Sequence, residues 1–368
     1  MNPMRRLVSH GLSGTIARLL LTACLCMLAA AVYAAPEKEE QSFDVGHFVF
    51  EHIQDAHSWH ICKIGGKDIA LPLPVLVYSK QSGWHAFMSS RLRHGAEWKG
   101  FFIAEEGDDA GKLLERLPDG SVHRPKLDLS ITKNVCAIFI SIALLLAIFL
   151  SMARVCAGRR GKAPKGLQNM METVILFIRD EVAIPSIGKE KYEAYMPYLL
   201  TIFFFILVNN LMGLLPIFPG GANVTGNIAV TLSLALFTFL MTNIKSTKTY
   251  WKDIVNTPGA PVWLKLPLPI MPVVEIIGIF TKPFVLMVRL FANITAGHMV
   301  IMTFFSLIFV FGFMRAWLGY AVASVSIAFT IFMTFLELLV AFIQAYVFTA
   351  LSAVYFGMSA IEEETHSH

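Results

Sequence analysis

Residues 282–298 read KPFVLMVRLFANITAGH, and residues 335–356 read FLELLVAFIQAYVFTALSAVYF. Each is the polar-studded middle of a longer apolar run, spanning about 268–312 and about 317–357. A helix crosses ~30 Å of hydrocarbon with roughly 20 apolar residues, so each run is about twice as long as a perpendicular span requires. The expected arrangement is two long, strongly tilted helices forming an antiparallel hairpin that turns between Gly312 and Trp317.

Working outward, three shorter spans precede the hairpin, at about 134–155, 197–217 and 225–244. The first ends on Arg159, Arg160, Lys162 and Lys165, and the third on Lys245, Lys248 and Lys252. Such clusters stay in the cytoplasm, so the first span runs inward and the IEEETHSH tail, 361–368, ends inside. The fold class expected is an all-α polytopic membrane protein with five crossings, carrying a small mixed exported N-terminal region. Composition agrees: of 368 residues 55% are hydrophobic and 15% charged, and the mean hydropathy is +0.61. The net charge of +4 lies in short basic clusters beside apolar runs, which argues for membrane orientation and against nucleic acid as a partner.

The N-terminus carries Arg5 and Arg6, the apolar LLLTACLCMLAAAV and then Ala34 and Ala35, and reads as a signal peptide over residues 1–35. Leu21, Thr22, Ala23 and Cys24 resemble a lipoprotein box, but the apolar run continues past them. Residues 36–130 are polar and mixed, with strand-like IALPLPVLVYS and turn signals at Gly65, Gly66, Asp119 and Gly120. His52, His57 and His60 near Cys62 invite a metal reading, yet their spacing matches no closed zinc pattern, and no metal or other cofactor is expected. Residues 131–360 form the transmembrane domain. Within it METVILFIRDEVA, 171–183, fits either an interfacial helix or core packing against other spans.

Glu275, Lys282, Arg289, Asn293, His298, Glu337 and Gln344 all fall in the two long runs. A central arginine costs about 2.5–3.5 kcal/mol even on the permissive insertion scale, so a functional reading is the default. In an antiparallel hairpin Arg289 comes level with Gln344, and His298 with Glu337, both pairs centring near residue 316, where the apolar pattern breaks. At 3.6 residues per turn Arg289 and Asn293 share a face, as do Glu337 and Gln344, while His298 lies opposite Arg289. Arginine stays charged, so it attracts a mobile carboxylate and blocks a proton shortcut; histidine and glutamate exchange protons. Arg289 therefore reads as a gate, and His298 with Glu337 as a relay. Lys282 reads as snorkelling to the headgroups, and Glu275 is two helical turns from it, a long reach for an ion pair. Asn209, Asn210, Asn223, Thr225 and Asn227 fit channel lining and helix packing equally.

Taken with ILVNNLMGLLP at 206–216 and TGNIAVTLSLAL at 225–236, the two quoted stretches resemble the ATP synthase subunit a family over roughly residues 130–360. The resemblance implies a proton-translocating stator subunit in a bacterial inner membrane, bound by lipid, the c-ring and the peripheral stalk subunit b. It implies that Arg289 faces the ring's essential carboxylate and that two offset half-channels serve the two sides. Asn293, His298, Glu337 and Gln344 match positions in or near the polar path, and Glu275 a position on the cytoplasmic side. Members differ in which helix carries the acid and which the histidine; here His298 is on the earlier helix. No catalytic site is expected in the chain itself, and no GxxxxGK[ST] loop is present. A stand-alone ion transporter is the competing reading, but residues 268–357 do not repeat the 197–244 pair. The exported 36–130 region is the main departure from the family pattern.

Overall fold

The computed structural model describes residues 55–64, 67–104, 111–117, 119–158, 165–215, 220–255 and 270–360, with Gly46 and Asp109 individually. The expected signal peptide, His52 and the cytoplasmic tail lie outside the described residues. The chain divides into two compact bodies, one of Ile53–Gly297 with Leu336–His368 and one that includes His298–Phe335.

In the larger body the N-terminal region is a β-domain. Strands β1 (Ser58–Ile64) and β2 (Lys67–Pro72) form one antiparallel ladder, and β3 (Pro74–Ser79) pairs with β4 (Gly83–Met88) and with the short β8 (Leu127–Asp128). Strands β5 (Phe101–Ile103), β6 (Leu113–Arg116) and β7 (Val122–His123) form a third sheet. Alternation along PVLVYS buries Val75 and Val77 and exposes Leu76, as a strand of period two requires. Those two valines form the domain core with Phe87, Leu92, Phe101 and Leu113.

Helix α1 (Lys133–Gly158) follows directly from the β-domain. Helix α2 (Leu167–Phe177) passes through π-helical turns at Ile178–Ala183 into the short α3 (Ile184–Ile187). Met171, Ile178, Val182, Ala183 and Ile187 of this segment join the apolar core with Leu199, Ile206, Leu286, Leu290 and Phe356, so one side of METVILFIRDEVA packs against the spans. Helix α4 (Met196–Leu214) and helix α5 (Ile228–Ile244) come next, and α5 bends by 103° into α6 (Lys248–Val255). Asn227 caps α5, its side chain accepting from the Ala229 N–H.

Helices α7 (Ile270–Met314) and α8 (Ala316–Ala360) are each 45 residues long and break only at Arg315. Among the described residues four helices are long and apolar enough to cross a membrane, and a fifth if the bent α5–α6 pair counts as one span. In the larger body α8 buries a stripe of small residues, Ala341, Ala345, Thr349, Ser352 and Ala353, at helical spacing. Such a stripe lets helices approach closely where no hydrophobic effect drives them together. Gly357 shows how closely: a Cβ there would stand 1.9 Å from the Ser186 carbonyl oxygen. In the smaller body the hairpin tip packs antiparallel, with the Phe304 and Phe329 rings 4.2 Å apart and Gly319 against Gly312.

Candidate functional site

The site residues are sorted by which side of each long helix they occupy. On α7, Leu286, Met287, Leu290 and Ile294 turn into the core. Arg289 and Asn293, on the remaining arc, are exposed. On α8 the order is reversed, because Glu337 is 5% and Gln344 6% exposed, in line with the small-residue stripe. The two helices thus present an outward guanidinium with an amide on one and an inward carboxyl with an amide on the other.

Glu337 has a defined seat. A Cβ added at Gly297 would lie 3.0 Å from Glu337 Oε1 and 3.3 Å from Cδ, so a methyl there would press the carboxyl back from α7 by a few tenths of an ångström. Four residues further along α8, the Ala341 carbonyl accepts a hydrogen bond of 3.2 Å from Asn210 Nδ2 of α4. Asn210 Oδ1 in turn accepts from Thr225 Oγ1 at 2.6 Å, both residues being buried. Thr225 belongs to the loop before α5, and its neighbour Gly226 offers a carbonyl to Thr295 Oγ1 of α7 at 3.5 Å. This polar cross-brace, Thr225 to Asn210 to Ala341, lands on α8 between Glu337 and Gln344. The other amides serve local structure: Asn209 Nδ2 donates to the Phe205 carbonyl, and Asn223 Oδ1 accepts from the Gly226 N–H.

Glu275 and Lys282 are half-buried near the start of α7. The Lys282 ammonium lies over the Tyr355 ring, 5.5 Å from its centroid, beside a small recess lined by Thr242, Asn243 and Tyr250. Pro283 follows within the helix, where its missing N–H is tolerated by packing. A further polar chain joins Tyr198, Thr238 and Ser352, at 3.1 and 3.5 Å. His298 is half-buried and belongs to the smaller body.

Among the described residues no group of three metal-ligating side chains occurs. His57 is buried and faces Asp128, Nε2 to Oδ2 3.7 Å. Burial pushes the Asp128 carboxyl up, but the nearby His57 imidazole and the hydrogen bond from Ser130 outweigh it and hold the group below the ordinary carboxylate range. Cys136 and Cys156 are free thiols.

The seat at Gly297 and the cross-brace to Ala341 escaped the sequence reading. A lone glycine in an apolar helix has many uses, and the Asn210 bond joins residues 131 positions apart.

Comparison with known proteins gives two matches along the chain. Residues 135–357 match the ATP synthase A chain family, and residues 48–128 match a family described as a domain of unknown function. The chain is 45% identical over 266 residues to an ATP synthase subunit a of Chloroherpeton thalassium, covering 68% of this chain and 75% of the relative. It is 42% identical over 291 residues to an ATP synthase subunit a 2 of Prosthecochloris aestuarii, covering 76% and 85%. With an ATP synthase subunit a of Myxococcus xanthus the identity is 43% over 270 residues, covering 70% and 81%.

Proposed function

Because the chain belongs to the ATP synthase A chain family, the proton-translocating stator subunits of F-type ATP synthases, we propose that it conducts protons through two offset half-channels separated by Arg289. It is a multi-pass membrane protein and a component of the synthase complex. The observation that carries the reading is the sorting of polar groups, with Arg289 and Asn293 outward on α7 and Glu337 and Gln344 inward on α8.

In this reading the outward face of α7 meets the c-ring, with the α7–α8 hairpin tilted along it, and the peripheral stalk subunit b holds the chain against rotation. Arg289, charged at any working pH, draws the ring's carboxylate into its ionised form and denies protons a direct route between the half-channels. His298 and Glu337 are the proton-exchanging pair, Asn293 and Gln344 supply hydrogen-bonding groups along the polar path, and Glu275 serves the cytoplasmic outlet. Each charge crossing releases about 2.3 kcal/mol per 100 mV, and rotation collects several such steps before ATP forms elsewhere in the complex. The chain itself then needs no catalytic site. In this reading the chain sits in the bacterial inner membrane with the β-domain outside and the C-terminus in the cytoplasm, a sidedness that the basic clusters beside the spans support. A stand-alone transporter gains no support from the family match.

The test is ATP-driven acidification of inverted vesicles containing the complex with Arg289→Ala. Loss of pumping at normal assembly is the expected result. Normal pumping by the assembled variant would remove Arg289 from the gate.

A further inference from the structure

Among the described residues, the β-domain is joined to the membrane helices of the larger body by two hydrogen bonds and an apolar contact. The Ala56 carbonyl accepts from the Lys133 N–H at 2.8 Å, and Asp55 Oδ1 accepts from the Asn134 N–H at 3.0 Å, which caps the first turn of α1 from 79 residues away. In the apolar contact Trp59 of β1, 3% exposed, packs with Ala137 of α1 and with Ala222 and Val224 of the loop before α5. An indole is the largest apolar group available to such a junction, burying about 150–250 Å².

The contact matters for what lies beside it. Residues 220–227 form no regular element, so their position is set by packing and by a few turn bonds such as Asn227 N to the Val224 carbonyl, 3.2 Å. Thr225, next to Val224 of the Trp59 cluster, is 1% exposed and makes the 2.6 Å bond to Asn210, which reaches the Ala341 carbonyl. The Trp59 cluster, Thr225, Asn210 and Ala341 therefore lead from the β-domain to the turn of α8 between Glu337 and Gln344.

We propose that the β-domain is a positioning element for proton conduction, in which Trp59 holds the 222–226 loop so that Thr225 keeps Asn210 on the Ala341 carbonyl. Trp59 is a positioning residue and touches no proton carrier. A loop released from Trp59 would let Asn210 lose one of its two partners, and the α8 turn carrying Glu337 and Gln344 would lose its brace. This inference rests on the half-channel reading above.

The experiment uses the complete synthase with Trp59→Ala and Trp59→Phe. Two quantities are read: hydrogen exchange across residues 220–227, and passive proton conduction per assembled complex in vesicles stripped of the catalytic head. Trp59→Ala is expected to speed exchange in the loop and to lower conduction by roughly tenfold, below the ~100-fold that a 1 Å misplacement of positioned groups can cost. Trp59→Phe, which keeps an aromatic wedge, is expected to restore most of both. Faster exchange with unchanged conduction overturns the proposal, and so does unchanged exchange. Where Trp59→Ala blocks assembly, Val224→Ala trims the same contact from the loop side and carries the same two readouts. Arg289→Ala in parallel vesicles keeps the two ideas apart: normal pumping there sinks the half-channel reading, whatever Trp59 does to the loop.

Discussion

Gly297→Ala separates the packing of the hairpin from its proton chemistry. The new methyl would stand 3.0 Å from Glu337 Oε1, 3.3 Å from Cδ and 3.4 Å from Cγ, where unstrained contacts begin near ~3.5 Å. The carboxyl must retreat by a few tenths of an ångström, and it is the far end of a flexible side chain. Pushing it off its rotamer costs about 0.5–1.5 kcal/mol. Replacing glycine inside a helix returns about 0.8–1.0 kcal/mol. The two nearly cancel, so assembly should stay near normal. Proton transfer has no such compensation: if the same displacement enters the barrier, about 0.7–1.4 kcal/mol lowers pumping roughly three- to tenfold. ATP-driven acidification of inverted vesicles, normalised to assembled complex, measures the effect. Full pumping at full assembly would show that the seat of Glu337 is irrelevant to proton movement. A fall in pumping that only tracks a fall in assembly would assign Gly297 to packing alone.

Two further predictions address the scaffold. Gly357→Ala forces a Cβ to 1.9 Å from the backbone oxygen of Ser186, which no side-chain adjustment relieves; overpacking of about 1–3 kcal/mol should reduce the amount of assembled complex recovered from membranes. Asp128 is held below its ordinary value of 3.8, so its contribution to the β-domain is present above that value and lost as pH falls through the lower, folded one. Acid titration of tryptophan fluorescence should show this component in the wild-type chain and lack it in Asp128→Asn; an identical profile in the variant would refute the assignment.

Much of the fold was legible because the membrane imposes lengths. The apolar runs expected at about 268–312 and 317–357 are the helices Ile270–Met314 and Ala316–Ala360, and the expected turn falls at Arg315. Helical periodicity alone put Arg289 with Asn293 and Glu337 with Gln344, and burial divides them the same way. Contacts across the fold were not legible. Asn210 was read as lining or packing, and only the position of α8 turns it into a donor to Ala341. His57 drew notice in the sequence only through its neighbouring histidines, whereas the fold brings it opposite Asp128. The π-helical turns at Ile178–Ala183 sit inside a segment whose sequence continues an ordinary helical pattern.

The opposite orientations of Arg289 and Glu337 fit the roles proposed for them. Arg289 is exposed beside Leu286 and Leu290, whereas Glu337 is enclosed against Gly297, eight residues or ~12 Å further along α7. In the proposed complex this sorting would leave a permanent positive charge on the face that a rotating carboxylate passes, with a proton-exchanging group kept off that face. An outward arginine on an otherwise apolar helix is expensive in lipid, and in the proposed complex the ring carboxylate is the group that offsets this cost.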